Sequence, residues 1–116
     1  ITAVVMSKDT VDLYNPKVIR STMGSIFRVP CVIVDDLSEA VNDIKASGVT
    51  TYAAHLDGED ISQVELSDDR AFLIGNEANG LSEEVANLAD KKIKIPMEGE
   101  VESLNAAVAT AILIYR

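Results

Sequence analysis

Apolar residues in this chain fall into short runs divided by polar, glycine-bearing stretches. The runs at 3–6, 29–34, 50–54, 72–74 and 92–95 are short and rich in Val, Ile, Thr and Ala, and they predict strands. The segments between them carry helix punctuation. Asn15 is a good N-cap and Pro16 a good first helical residue, with Gly24 as terminator, so a helix is predicted over 16–23. Asp36 and Ser38 offer caps for a helix over 39–46, which Gly48 stops. Ser82, followed by Glu84 and Val85, opens a short helix to residue 88, and Ser103 opens a closing helix to residue 115. Residues 55–69 are polar and acidic and read as a loop, with a turn at Asp57-Gly58. Strands alternating with helices in this way predict an α/β fold, a mostly parallel sheet with helices on both faces, in one domain over residues 1–116.

Two of the junctions look able to carry chemistry. In open α/β folds the loops that follow strands build ligand sites. The run Ile95-Pro96-Met97-Glu98-Gly99-Glu100-Val101-Glu102-Ser103-Leu104-Asn105 leads from a strand tip through a glycine loop to a polar corner, and then into a helix that is almost wholly apolar. Ser103 can cap that helix, and the amide of Asn105 follows in its first turn. The run Leu73-Ile74-Gly75-Asn76-Glu77-Ala78-Asn79-Gly80-Leu81-Ser82 places an amide and a carboxylate between two glycines, where a ligand can approach the main chain. Taken alone, the first of these reads more readily as a capped core helix after a turn, and the second has a solvated strand-to-helix loop as its plain reading.

Composition narrows the choice. The chain has 116 residues, 47% of them apolar but only 4% aromatic, with no Trp. Its core is therefore aliphatic, which suits a parallel sheet buried on both faces. The formal charge is −9 and the pI about 4.4. That balance works against autonomous nucleic-acid binding, which rests on Lys and Arg contacts to phosphate. Lys91, Lys92 and Lys94 are the one basic cluster, and they read as a solvated strand edge. Cys31 is the single cysteine, which excludes an intrachain disulfide and a cysteine-rich metal site. Its place beside an apolar run predicts a buried, inert thiol. His55, the single histidine, lies in the acidic stretch and reads as a surface residue. The acidic residues of 57–69 lack the glycine-centred spacing of a calcium loop, and no metal site is expected. No apolar run reaches membrane-span length, and the opening residues lack a basic leader, so no membrane contact and a cytoplasmic location are expected.

Three segments, NPKVIRSTMGSIF, LIGNEANGLS and IPMEGEVESLNAAVATAILIY, stand in this order over nearly the whole chain. Together they resemble the SpoU (TrmH-like) branch of the SPOUT RNA methyltransferases. Ala78 stands where that family commonly has Gly. The family pattern also carries an earlier strand and helix, with an Asn followed by an Arg. No position here matches that Arg, and Arg20 does not inherit its role. The chain therefore resembles the family's catalytic domain without its first strand–helix unit, and these 116 residues alone are expected to be inactive or nearly so.

The resemblance implies a C-terminal trefoil knot and a homodimer. It also implies transfer of a methyl group from S-adenosyl-L-methionine to a ribose 2′-hydroxyl of rRNA or tRNA. It assigns cofactor binding to Ala54, Ile74, Gly75, Ile95, Met97, Ser103 and Leu104, and catalytic-site roles to Glu77, Ser103 and Asn105. Asn105 would either contact substrate or hold the knot loop by hydrogen bonds. The competing expectation is a knotted module that dimerises and holds cofactor without transferring methyl groups.

Overall fold

The computed structural model describes residues 3–7, 30–75, 81–95, 110 and 112–114. The helix predicted over 16–23, and most of the one predicted over 103–115, lie outside the described residues. The chain divides into two compact units, Ile1–Leu37 and Ser38–Arg116.

In the first unit β1 (Val4–Ser7) pairs with β2 (Cys31–Val34) in parallel, Val4 opposite Cys31 and Ser7 opposite Val34. A parallel pair needs a crossover of a dozen residues or more, and the stretch between the two strands is long enough to supply it. Val4, Val5, Val32 and Ile33 are exposed, and Cys31 is half-buried. The buried thiol expected from the apolar run is thus corrected: composition marks a strand, but burial depends on what lies over its faces.

The second unit holds α1 (Leu37–Ala46, its first residue at the boundary), β3 (Thr50–Asp60), β4 (Arg70–Leu73), α2 (Glu83–Leu88) and β5 (Lys91–Lys94). Its sheet has the order β4-β3-β5, and both pairings are parallel. β3 is central, and its consecutive residues Thr51, Tyr52 and Ala53 are all buried, the mark of a strand covered on both faces. In α1 the apolar residues Leu37, Ala40, Val41 and Ile44 recur at helical spacing, with Val41 buried. The helix ends where the sequence predicts. Gly48 takes φ +94°, and its N–H donates to the carbonyl of Lys45 at 3.0 Å. α2 starts as predicted, with the Ser82 hydroxyl accepting from Val85 N at 3.2 Å. The core gathers Tyr52, Ile61, Ile93 and Leu113, and the rings of Tyr52 and Phe72 lie 5.8 Å apart between centroids.

The predicted loop at 55–69 needs correction in its first part, because β3 runs on to Asp60. Ala54 and Glu59 both stand opposite Ile93, so residues 55–58 leave the ladder and Glu59 and Asp60 rejoin it. Gly58 allows the return: a Cβ there would lie 2.5 Å from the backbone of Ile93. Leu56 and Asp57 are exposed in this excursion, which is why the stretch reads as loop. Asp60 then caps a 3-10 turn, Ile61–Gln63, by accepting from the Ser62 amide at 2.9 Å and hydroxyl at 2.8 Å. No described helix is long and apolar enough to cross a membrane.

Candidate functional site at the strand ends

Because β3, β4 and β5 are parallel, the C-terminal ends of β4 and β5 lie on the same side of the sheet as the point where β3 first leaves its ladder with β5. Ala53 pairs with Leu73, so Ala54 and Ile74 are the next residues of neighbouring strands, and Gly75 follows. Ala54 pairs with Ile93, and Ile95 lies just past the end of β5. Ala54, Ile74 and Ile95 all pack, half-buried, against the cluster of Tyr52, Ile61, Ile93 and Leu113. Four residues singled out from the sequence, Ala54, Ile74, Gly75 and Ile95, thus lie at one end of one sheet. Glu77, Met97, Ser103, Leu104 and Asn105 lie outside the described residues. Leu113 is 1% exposed within the cluster, so this helical residue packs against the same sheet.

His55 sits at this edge, directly after Ala54, and the expectation of an ordinary surface residue is corrected. Only 15% of its side chain is exposed. Its Nδ1 accepts from the Asp57 amide at 3.1 Å, and its Nε2 lies 3.2 Å from Glu83 Oε1. An Nδ1 that accepts carries no proton, so the neutral ring holds its proton on Nε2 and donates to Glu83. The available signal was its position: a histidine one residue past a predicted strand end. Lys91 and Lys94 are exposed and Lys92 half-buried on β5, an outer strand of the described ladder, as the basic cluster predicts.

The opposite end of the sheet carries a polar cluster that sequence reasoning missed. Asp90 Oδ2 accepts from Thr51 N at 2.8 Å and from Thr51 Oγ1 at 3.0 Å, while Asp90 N donates to Thr51 Oγ1 at 3.0 Å. Lys45 Nζ donates to the Leu88 carbonyl at 2.7 Å, at the open C-terminal end of α2, and lies 3.8 Å from Asp90 Oδ1. Asp90 is held below the ordinary carboxylate range, chiefly by the Thr51 N–H. Burial works against this, and the Thr51 hydroxyl and Lys45 add to it. Lying at the start of β3 and β5, this cluster ties α1, α2 and the sheet together.

The profile of the SpoU rRNA Methylase family matches residues 1–115. A 23S rRNA (guanosine(2553)-2′-O)-methyltransferase of Bacillus subtilis is 38% identical over 114 residues, covering 97% of this chain and 46% of that protein. A tRNA (guanosine(18)-2′-O)-methyltransferase of Thermus thermophilus is 45% identical over 82 residues, covering 69% of this chain and 42% of that protein. Among solved structures, the SpoU methyltransferase AviRb of Streptomyces viridochromogenes, in complex with the cofactor AdoMet, is similar with a TM-score of 0.87 and 30% identity. The match covers 97% of this chain and 47% of that one. An AdoMet-bound rRNA methyltransferase of Sinorhizobium meliloti is similar with a TM-score of 0.90 and 32% identity, over 98% of this chain and 44% of that one. The chain spans a little under half the length of each of these proteins.

Proposed function

Since this chain belongs to the SpoU rRNA methylase family, we propose that its 116 residues are the donor-binding part of a catalytic domain that methylates a ribose 2′-hydroxyl of rRNA or tRNA, with S-adenosyl-L-methionine as cofactor. The observation that carries this reading is the gathering of Ile74, Gly75 and Ile95, just past the ends of β4 and β5, around Ala54, where β3 first leaves its ladder with β5. The residues fit the ligand. Ile74 and Ile95 offer half-buried aliphatic walls for an adenine face, and Ala54 and Gly75 add little bulk beside them. Main-chain groups near Gly75, Ile95 and Leu104 read the edge of the base, and Met97 and Ser103 complete the cofactor set. The cofactor, when bound, supplies a methyl group on a positively charged sulfur. Glu77 favours that charge by Coulomb attraction or orients an RNA group. Ser103 and Asn105 position the ribose or hold the loop that carries them. The reading includes a C-terminal trefoil knot, a two-fold dimer and a cytoplasmic location, where such RNA is met.

Calorimetric titration of the chain with S-adenosylhomocysteine tests the pocket. Binding that Gly75→Trp and Leu104→Trp both abolish is the expected result. Saturable binding unchanged by either substitution would put the site elsewhere. Methyl transfer by these residues alone is expected to be negligible, because an acidic chain holds RNA phosphate poorly. Radiolabelled donor with unmodified rRNA and tRNA is the assay. Robust incorporation overturns this expectation, and incorporation lost on Glu77→Ala or Asn105→Ala would assign the activity to those residues. The second reading, a cofactor-holding dimer module without transferase activity, has the same charge in its favour. It is the one left standing if titration succeeds while longer forms of the protein transfer nothing.

A further inference from the structure

We infer that His55 is a positioning residue: its imidazole, bridging the Asp57 amide and the Glu83 carboxylate, fixes the path of the chain as it leaves Ala54 and so shapes the donor pocket. The inference rests on the donor-binding reading above. Ala54 is the last residue of β3 paired with β5 before residues 55–58 leave the ladder. The excursion is anchored at both ends. At its far end Gly58 lies so close to Ile93 that no side chain fits between them. At its near end the anchor is the His55 ring. Nδ1 closes a local turn by accepting from the Asp57 amide at 3.1 Å. Asp57 Oδ2, at 3.8 Å, is beyond hydrogen-bond length, so the amide is the group that Nδ1 meets. Nε2 then reaches Glu83 at 3.2 Å, in the first turn of α2 behind the Ser82 cap.

The two halves of the bridge differ in burial: 15% of the His55 side chain is exposed against 74% for Glu83. An exposed carboxylate partner adds little to global stability. What the bridge does is directional. It ties the start of the excursion, just past Ala54, to the first turn of α2. One of the proposed cofactor-binding residues, Ala54, therefore borders the segment that this ring ties to α2. The ring is the side-chain anchor at the near end of the excursion.

The test uses the whole chain and two readouts. In titration with S-adenosylhomocysteine, H55A is expected to weaken affinity about tenfold, the scale of one lost hydrogen bond, and E83A several-fold. The double variant is expected to be no weaker than H55A, because the two residues act through one contact. H55N is expected to recover part of the loss, since its side-chain oxygen can accept from the Asp57 amide. L56A, at an exposed neighbour, is expected to bind like the wild type. Affinities within twofold of wild type in both H55A and E83A, or losses that add in the double variant, overturn the proposal. The second readout needs no ligand: amide hydrogen exchange at Asp57 is expected to quicken about tenfold in H55A, and to quicken in E83A as well. A wild-type chain that binds no S-adenosylhomocysteine sinks the donor-binding reading and the pocket-shaping role with it. The exchange readout then decides the bridge by itself, and unchanged exchange in both variants refutes it.

Discussion

Thr51 has no exposed surface, and Asp90 answers both its amide and its hydroxyl. Truncation at Asp90 strands two buried donors, so Asp90→Ala is expected to cost about 1–3 kcal/mol, read as a lower urea midpoint. The pH dependence has a definite sign. Asp90 has a folded pKa below its ordinary value of 3.8, so its contribution is present in full above that value and is lost as pH falls through the folded pKa. Between pH 7 and pH 3 the wild type is therefore expected to lose more stability than Asp90→Asn, compared by urea titration at each pH. Equal losses would mean that the carboxylate is not specially held. None of this was legible beforehand. Thr51 and Asp90 are 39 positions apart, and only the parallel pairing of β3 with β5 brings them together. His55 was legible as a residue but not as a bridge, for the same reason: Glu83 is 28 positions away.

At the level of elements, whatever is decided locally was readable in the sequence. The Ser82 cap, the Gly48 stop and the apolar spacing of α1 each depend on a few neighbouring residues, and the structure has all of them. The length of β3 depends on its partner, and there the polar pattern of 55–60 misled. Two glycines, Gly48 and Gly58, separate these cases experimentally. Gly48→Ala meets no atom within 4 Å and is opposed only by its φ of +94°, so it is expected to cost about 1 kcal/mol. Gly58→Ala drives a methyl group against the Ile93 backbone at 2.5 Å, where no flexible side chain can yield. It is expected to cost more, about 2–3 kcal/mol, and to displace β5 or the excursion. Urea denaturation of the two variants ranks them, and Gly58→Ala proving the milder would show that residues 55–58 rearrange freely.

At the scale of the whole molecule the closing helix poses the last question. Four of the proposed cofactor-binding residues were singled out through the family resemblance, and the parallel ladders of β3 with β4 and β5 bring them near one another. The cover of the final helix cannot be read that way, since it depends on what lies against each side. Leu113 is 1% exposed against the sheet, while its neighbour Ile112 remains 37% exposed. Beyond these, Leu104, Ala107, Val108, Ala111, Ile114 and Tyr115 leave the helix predicted over 103–115 few polar positions. A helix that is apolar nearly all round calls for burial on more than one side. The sheet takes the side of Leu113, and a second copy of the chain is the natural cover for the side of Ile112. Small residues at Ala106, Ala107, Ala109 and Ala111 would let the two helices approach closely. The chain is therefore expected to be a two-fold dimer, with a light-scattering mass near twice 12.5 kDa at micromolar concentration. Ile112→Glu, which sets like charges against each other across a two-fold axis, is expected to shift it to monomer without unfolding it. A wild-type chain that stays monomeric into the high micromolar range would count against this interface, as would a dimer indifferent to a charge at Ile112.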